Sequence, residues 1–203
     1  MVKPGTGFAI RRSIRITAMT MALLLAVALG SAAGQATKLQ LDPQQTTVNF
    51  TLADVLHTVH GTFRARPGSL NFDSGSGDLA GEIAVDARTG QSGNGMRDRK
   101  MHREVLESER YPEITFRTDR VYGAVLQQGK SSVRLHGVFR IHGADHELIV
   151  PAQVEMFPDH WTAALHFSIP YVKWGMKNPS TLFLRVSESV DIDVNAAGTI
   201  VRP

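Results

Sequence analysis

The amino-acid sequence predicts an all-β fold with one short helix, and three observations carry that prediction. Apolar residues alternate with polar ones in about eight or nine segments, as they do when successive side chains of a strand point to opposite faces. Turn-forming residues separate these segments at short intervals, and helical spacing occurs only once. Hydrophobic residues make up 42% of the chain and charged residues 20%, which is the composition of a globular protein. Strands with one apolar face each must close on a common interior, as a barrel or as a two-layer sandwich.

Residues 1–36 have the organisation of a secretory signal peptide. Four basic residues precede an apolar run at 18–29, and small residues follow at 30–36. The apolar run is shorter than the ~18 residues that a membrane span needs. We predict cleavage after Ala36, although cleavage after Ala33 would also fit, which leaves residues 37–203 as the exported domain. The alternative to cleavage is an uncleaved anchor. The pair Arg11-Arg12 makes the twin-arginine route an alternative to ordinary export, but paired arginines are common in ordinary signal peptides.

Charge and cysteine content exclude several function classes. The chain carries 22 basic and 19 acidic residues, and removing the four basic residues of the leader leaves 18 basic against 19 acidic. A nearly neutral domain offers no basis for a nucleic-acid surface. Because the chain has no cysteine, disulfides, thiolate metal sites and cysteine nucleophiles are excluded. The exported domain must be held together by burial of apolar surface.

Four strand-like segments lie between the leader and the predicted helix. They are the alternations at 48–53, 59–65, 70–72 and 79–88, with residues 39–43 leading into the first. Helical spacing then appears between Asn94 and Arg110. Asn94 can act as the N-cap, and Tyr111-Pro112 stops the helix because proline disfavours helical geometry in the residue before it.

The most distinct strand pair after the helix is a β-hairpin at 131–156 with one solvent-exposed face. We predict its turn at Gly143-Ala144-Asp145, where glycine can take a positive φ. Pro151 lacks a ladder donor, so its strand is expected at an edge or a bulge. The other segments after the helix are strands at 114–116, 121–126, 161–169, 182–186 and 190–194, and a loop at 171–180.

The apolar residues that face the predicted interior are the candidate ligand-binding residues. They are Phe50, Phe63, Ile83, Val85, Phe116, Leu135, Phe139, Val150, Leu165 and Phe167. A barrel of about eight strands either fills with side chains or holds one small ligand. Gly81 and Gly137 fall on the same faces and remove bulk, which favours a cavity. The alternative interpretation is that the apolar residues fill the interior as an ordinary core.

Catalytic and metal chemistry have little support in the sequence. No G-x-S-x-G, phosphate-loop or H-E-x-x-H motif is present, so we predict no catalytic residue. His136 and His142 share a strand face but lie about 20 Å apart, which is too far for joint chelation. His142 and His146 could converge across the turn with His57 or Asp145, yet solvated histidines are the favoured interpretation, and no metal site is predicted.

A series of short motifs runs from Leu39 to Val194. They are LDP at 41–43, GTF at 61–63, RDRKMH at 97–102, YPEITF at 111–116, GVFRIHG at 137–143, IPYVKWG at 169–175 and VDIDV at 190–194. In this order and spacing the chain resembles the YceI-like family of lipid/polyisoprenoid-binding proteins. It departs from the family pattern at 44–46, where a histidine is usual, and at Lys173 and Trp174, where arginine and phenylalanine are usual.

The resemblance implies an extended antiparallel β-barrel of lipocalin-like architecture that is not an enzyme and needs no cofactor besides a bound lipid. It implies non-catalytic binding, sequestration or transport of an amphiphilic isoprenoid lipid, a polyprenyl quinone or polyprenyl phosphate, in the periplasm or outside the cell. Trp174 joins the apolar cavity residues. By their charge Arg97, Arg99 and Lys173 are head-group candidates; the simpler interpretations are a solvated helix face with local ion pairs for 97–100 and a capping loop at the barrel end for 171–180. Transient membrane-surface contact and a homodimer are further expectations. The alternative function is a ligand-free structural or stress-response interaction domain with a filled barrel.

Overall fold

The computed structural model describes residues 36–53, 58–180 and 185–201. Its strands are β1 Ala36–Leu41, β2 Thr47–Ala53, β3 Thr58–Ala65, β4 Ser69–Asp73, β5 Asp78–Gln91, β6 Glu113–Tyr122, β7 Gly129–Ile141, β8 Ala144–Met156, β9 His160–Ile169 and β10 Val190–Val201. Helix α1, Gly95–Lys100, continues into a π-helical turn at Met101–Val105. Apart from Ala36, which opens β1, the predicted signal peptide lies outside the described residues.

Eight strands close into an antiparallel ring, which confirms the predicted barrel. Their order is β5-β3-β2-β10-β9-β8-β7-β6, and β6 pairs back with β5. β1 and β4 form a second bridge between β10 and β5. β10 pairs with β2 through residues 191–195 and with β1 through 198–201. The two bridges therefore lie side by side along the long strands β5 and β10 and together complete the wall.

The hairpin of β7 and β8 is confirmed, but its turn is shorter than predicted. Only His142 and Gly143 lie between the strands, with φ of 52° and 76°, whereas Ala144 and Asp145 already pair with β7. Two positive φ values define the tight two-residue turn that follows the twist of the strands. A Cβ on Gly143 would also collide with the Tyr111 ring, so glycine is required there for space as well as conformation.

Pro151 lies in an interior strand rather than at an edge of the sheet. β8 pairs with β7 along its whole length, but its register with β9 begins only at Ala152. Pro151 therefore occupies the last position before the second ladder starts. The edge prediction is wrong for β8 as a whole. Pro151 nevertheless belongs to the part of β8 that is paired with β7 and not yet with β9.

Several element boundaries differ from the prediction. Residues 36–41 form a strand of their own, β5 extends through Gln91, and 113–122 is one strand where two short ones are predicted. The helical segment is shorter than 94–110 because it ends at Val105. Of the strand predicted at 182–186, the structure shows an isolated bridge at Val186. Leu182 and Leu184 lie outside the described residues.

The helical segment is fixed at both of its ends. The Asn94 side chain accepts hydrogen bonds from the backbone N–H groups of Met96 and Arg97 at 3.0 and 3.1 Å, as predicted for an N-cap. The Leu106 N–H donates to Met101 O, which is the i to i+5 pattern of a π-helix. His102 Nε2 donates to Gly90 O at 2.8 Å and ties this turn to β5.

Two apolar clusters occupy the opposite ends of the barrel. The far cluster is formed by Leu39, Leu41, Leu70, Phe72, Leu79, Val121, Val133, Ala152, Met156, Trp161 and Ala163. The near cluster lies beside the helical segment and is formed by Ala87, Leu106, Ile114, Phe139, Ile141, Ile169, Tyr171 and Met176. Burying each large apolar side chain stabilises the fold by about 1.5–3 kcal/mol, so a domain without disulfides can rest on these clusters. No helix among the described residues is long and apolar enough to span a membrane.

Candidate functional site

A cavity of about 730 Å³ lies inside the barrel and borders both clusters. Its wall contains all ten of the strand residues predicted to face the interior: Phe50, Phe63, Ile83, Val85, Phe116, Leu135, Phe139, Val150, Leu165 and Phe167. The interior is therefore not filled with side chains, which disagrees with the filled-barrel expectation. A volume in the ~300–1,000 Å³ range is typical of small-molecule sites.

Further lining residues were not singled out from the sequence. The far end of the cavity is closed by Leu41, Thr46, Leu70, Trp161, Ala163 and Ala196, and the near end by Met101, Val105, Leu106, Tyr171 and Met176. The far residues follow the same strand alternation as the predicted set, so the pattern itself could have found them. Of the near-end residues, Met101, Val105 and Leu106 belong to the apolar positions that recur at helical spacing in the sequence, so that period could have found them. Tyr171 and Met176 lie in the loop at 171–180, where no strand or helix period assigns an inward face.

Glycines allow two aromatic rings of the wall to pack closely. A Cβ on Gly61 would overlap the Phe50 ring, and a Cβ on Gly90 would overlap the Phe63 ring. The two rings lie 5.4 Å apart between centroids. Glycine at these positions therefore shapes the wall from behind the aromatic side chains.

Gly81 and Gly137 have a different role from the predicted one. Neither borders the cavity. A Cβ on Gly81 would meet the backbone of β4 at Ser69, and one on Gly137 would meet the backbone of β6 at Arg117. These glycines permit close approach of neighbouring strands, so they do not create the cavity.

The cavity reaches solvent at one side of the helical segment. Among the described lining residues, every exposed one lies between 94 and 103: Asn94, Met96, Arg97, Arg99 and Arg103. The rest of the wall is buried or half-buried. The opening, which we call the mouth, therefore contains two of the three predicted head-group candidates, Arg97 and Arg99.

Charged side chains in the lining occur only at the mouth, within the described part of the chain. Four are basic, Arg97, Arg99, Lys100 and Arg103, and one is acidic, Glu104. The residues with polar groups deeper in the wall are neutral: Thr46, Thr115, Thr118 and Tyr171 carry hydroxyls, and Trp161 carries an indole N–H that has no hydrogen-bond partner among the described groups. An amphiphile with an apolar tail and a polar or anionic head would match this gradient.

The basic groups of the mouth are held to different degrees. Arg97 donates through Nε to Ser92 Oγ at 2.7 Å, and Lys100 Nζ donates to Pro179 O at 2.9 Å. Arg103 lies 3.2 Å from Glu104. Arg99 makes no hydrogen bond or ion pair with any described residue. Its guanidinium is thus the basic group of the mouth most available to a ligand.

The loop at 171–180 closes the rim next to the helical segment. Lys177 Nζ donates to Glu104 Oε2 at 2.8 Å, and this bond is the main reason that the pKa of Glu104 lies below its usual value. The Tyr171 hydroxyl donates to Ser187 O at 2.8 Å, and burial raises the pKa of Tyr171 to about 12, so the phenol keeps its proton at neutral pH. Loop and helical segment therefore form one polar rim over an apolar chamber.

Trp174 and Lys173 lie outside the cavity lining. A tight turn, in which Gly175 has a φ of 91°, directs Tyr171 and Met176 into the cavity instead. The Trp174 ring stacks on the His146 ring, with 3.9 Å between centroids and 8° between planes. Lys173 is exposed. Trp174 supports the wall through its contact with Phe139, at 6.0 Å between ring centroids.

The histidines that the sequence placed near the hairpin have separate partners. His136 lies between Asp119 and Glu147 at 2.6 and 2.8 Å, and His142 Nε2 lies 3.2 Å from Glu107 Oε1 without hydrogen-bond geometry. His146 is stacked as described above, and burial lowers its pKa. Within the described ranges no three histidine or acidic side chains converge as a metal site would require, and His57 lies outside these ranges.

Comparison with known proteins places the barrel in a family. The chain matches the YceI-like domain over residues 39–197, and no curated protein matches it. Among solved structures it is similar to Burkholderia cenocepacia BcnA, with 17% identity, a TM-score of 0.64 and coverage of 78% of this chain and 99% of that one.

Two other structures show the same architecture. A polyisoprenoid binding domain from Saccharophagus degradans implicated in plant cell wall breakdown is 14% identical, with a TM-score of 0.63 and coverage of 83% of this chain and 99% of that one. The Campylobacter jejuni YCEI protein is 13% identical, with a TM-score of 0.56 and coverage of 71% and 86%. The match over residues 39–197, together with the closed barrel, shows that this chain belongs to the YceI-like domain family.

Proposed function

We propose that the protein binds and carries an amphiphilic isoprenoid lipid, of the polyprenyl quinone or polyprenyl phosphate class, without catalysing a reaction. The observation that carries the proposal is the apolar cavity of about 730 Å³ with one charged mouth. The polyisoprenoid binding domain of Saccharophagus degradans, which has the same fold, supports the ligand class.

The size of the cavity limits the length of chain that can be enclosed. At the ~30 Å³ that a water molecule occupies in the liquid, 730 Å³ holds roughly 24 atoms of that size. This corresponds to about five isoprene units. Burial of such a tail is driven by the area removed from water, at about 25 cal/mol per Å². A longer polyprenyl chain would leave part of its length outside the mouth.

The polarity of the cavity sets the orientation of the ligand. The tail would contact the aromatic wall formed by Phe50, Phe63, Phe139 and Phe167, and the head would lie beside Arg97 and Arg99. Because arginine pairs well with phosphate oxygens, these two residues would favour a phosphate head. We further propose that the protein acts in the periplasm or outside the cell, after removal of its leader.

Native mass spectrometry of the protein from its own host, followed by organic extraction, tests the proposal. We expect an added mass in the range of a prenyl lipid, and the same spectrum reports whether the protein is a homodimer. In Leu165→Trp the indole would fill the chamber next to Ala152, its partner across the strands, and occupancy should fall.

The matched control is Leu126→Trp, because Leu126 is 52% exposed and lies outside the lining. It should retain the lipid. A bare mass in several preparations, with no binding of added prenyl lipid, would contradict the proposal.

A further inference from the structure

The mouth of the cavity combines positive charge with an exposed apolar side chain. Met96 borders the mouth and is 75% exposed, the highest value among the described large hydrophobic residues. Arg97, Arg99 and Arg103 surround it on the same short segment and are exposed as well. An exposed methionine among cations is the composition of a surface that inserts shallowly into an anionic lipid interface.

The charge of the mouth is opposite in sign to that of the rest of the domain. The segment at 95–105 with its bonded neighbour Lys177 contains five basic residues and two acidic ones, a net charge of +3. The domain at 37–203 has 18 basic and 19 acidic residues, so the remainder of it carries −4. Such a separation orients a protein in the field of a charged surface.

Both acidic groups of this segment are already engaged by the protein. Asp98 accepts from the Ser92 N–H at 2.8 Å and from the Ser92 hydroxyl. Glu104 accepts from Lys177 and from Arg103. Both carboxylates keep their charge but are turned towards these donors, and the segment remains at a net +3 with them included. Arg99 has no hydrogen bond or ion pair with a described residue that would compete with a lipid phosphate.

We infer that the protein docks on anionic lipid membranes through the mouth surface, defined as Met96, Arg97, Arg99, Lys100, Arg103 and Lys177, so that the cavity opens towards the bilayer. The inference rests on the proposed lipid carrier function, because a ligand with an apolar tail must pass between bilayer and cavity with little exposure to water. The occupant is a bilayer surface bearing anionic head groups. Docking there places the opening of the chamber at the membrane.

Partition onto vesicles tests this docking. The protein, in the form its source cells export, is mixed with phosphatidylcholine vesicles that either contain or lack phosphatidylglycerol, and the bound fraction is measured by flotation. We expect binding only where the anionic lipid is present, and it should weaken as salt is raised. Arg99→Gln with Arg103→Gln should lower the partition coefficient roughly 25-fold, since each basic residue contributes about fivefold at an anionic surface.

Two further variants separate the mouth surface from general charge. Met96→Ser should lower partition about fivefold, because it removes apolar contact without changing charge. Arg120→Gln with Lys130→Gln removes the same charge from exposed positions that form ion pairs with Asp78 and Glu155 beside the far cluster. These two substitutions should change partition by less than about twofold.

Three results would overturn the inference. The first is equal loss of binding in the mouth and far variants, and the second is equal binding to vesicles with and without phosphatidylglycerol. The third is a protein that holds prenyl lipid but stays off anionic vesicles, which leaves the carrier function standing. A protein that holds no lipid in any preparation overturns the carrier function instead, and with it the role assigned to docking.

Discussion

At the scale of single residues, His136 makes the stability of the fold depend on pH. Its imidazole bridges Asp119 on β6 and Glu147 on β8, and the hydrogen bonds to Asp119 first and Glu147 second raise its pKa above the usual value. A histidine whose pKa is raised by folding contributes stability that is fully present below the unfolded pKa of about 6.5 and is lost as pH rises through the folded pKa.

We expect His136→Gln to remove this contribution. The difference in urea midpoint between the parent protein and the variant should be largest near pH 6 and should shrink as pH rises above the folded pKa. Comparison with the parent at each pH is needed because burial lowers the pKa of His146, which changes stability in the opposite direction. His60→Gln is the control, since His60 is exposed and its hydrogen bond among the described groups is to the neutral Thr51 hydroxyl, at 3.1 Å. A pH-independent difference for His136→Gln would contradict the assignment.

At the scale of elements, a half-buried histidine ties the π-helical turn to the barrel by hydrogen bonds, in addition to the apolar contacts of Leu106 and the Glu104–Lys177 pair. His102 Nε2 donates to Gly90 O on β5, and the Ser108 hydroxyl lies 3.0 Å from Nδ1. Ser108 is almost fully buried, so both partners would lose a bond in a place with little water. An unsatisfied buried polar group costs about 1–3 kcal/mol.

His102→Ala should therefore loosen the near end of the barrel while the far end stays closed. We expect hydrogen exchange of the amides at 101–108 to accelerate by about tenfold or more, with little change in β1 and β4. His160→Ala is the matched control because His160 is exposed at the other end and pairs with Asp159. Uniform acceleration throughout the barrel would instead indicate that His102 stabilises the fold globally.

The elements also show what the sequence could and could not predict. The hairpin at 131–156 was predictable because its alternation is nearly unbroken. The sequence predicts two short strands where the structure has the single strand β6. The register of β6 with β7 shifts between Thr118 and Arg120, so Val121 falls out of phase with Ile114 and Phe116. A bulge changes the parity of a strand without ending it. Pairing partners reveal such a shift, whereas periodicity within one strand does not.

The candidate site also contains residues that the sequence predicts and residues that it does not. Phe50, Val85 and Leu165 were predictable as inward residues because each belongs to a regular strand. Tyr171 and Met176 line the cavity only because a tight turn rotates Trp174 away from it, and that rotation depends on contacts far apart in sequence. Whether an apolar interior is filled or hollow depends on how ten strands close, and no single stretch of sequence contains that information.

At the scale of the whole molecule, the cavity links the stability of the fold to the binding of the lipid. Unfilled volume lacks the dispersion contacts of a packed core, at a cost of about 24 cal/mol per Å³ in engineered cavities. A lipid that binds only the folded barrel stabilises it by about 2.7 kcal/mol at 100 times its Kd. For a domain of this size that corresponds to an increase in Tm of roughly 5–10 °C.

A titration of geranylgeraniol against the lipid-free protein measures this link by calorimetry. We expect Tm to rise with the logarithm of ligand concentration, and Leu165→Trp to begin with an equal or higher Tm and then to respond little. The physical reason is that position 165 lies between Ala152 and Val194. An indole there would make, in the absence of ligand, the contacts that the lipid tail makes on binding. Leu126→Trp should follow the parent curve. If Leu165→Trp shifted as far as the parent protein, the tail would have to bind elsewhere, and the chamber would lose its assignment as the ligand site.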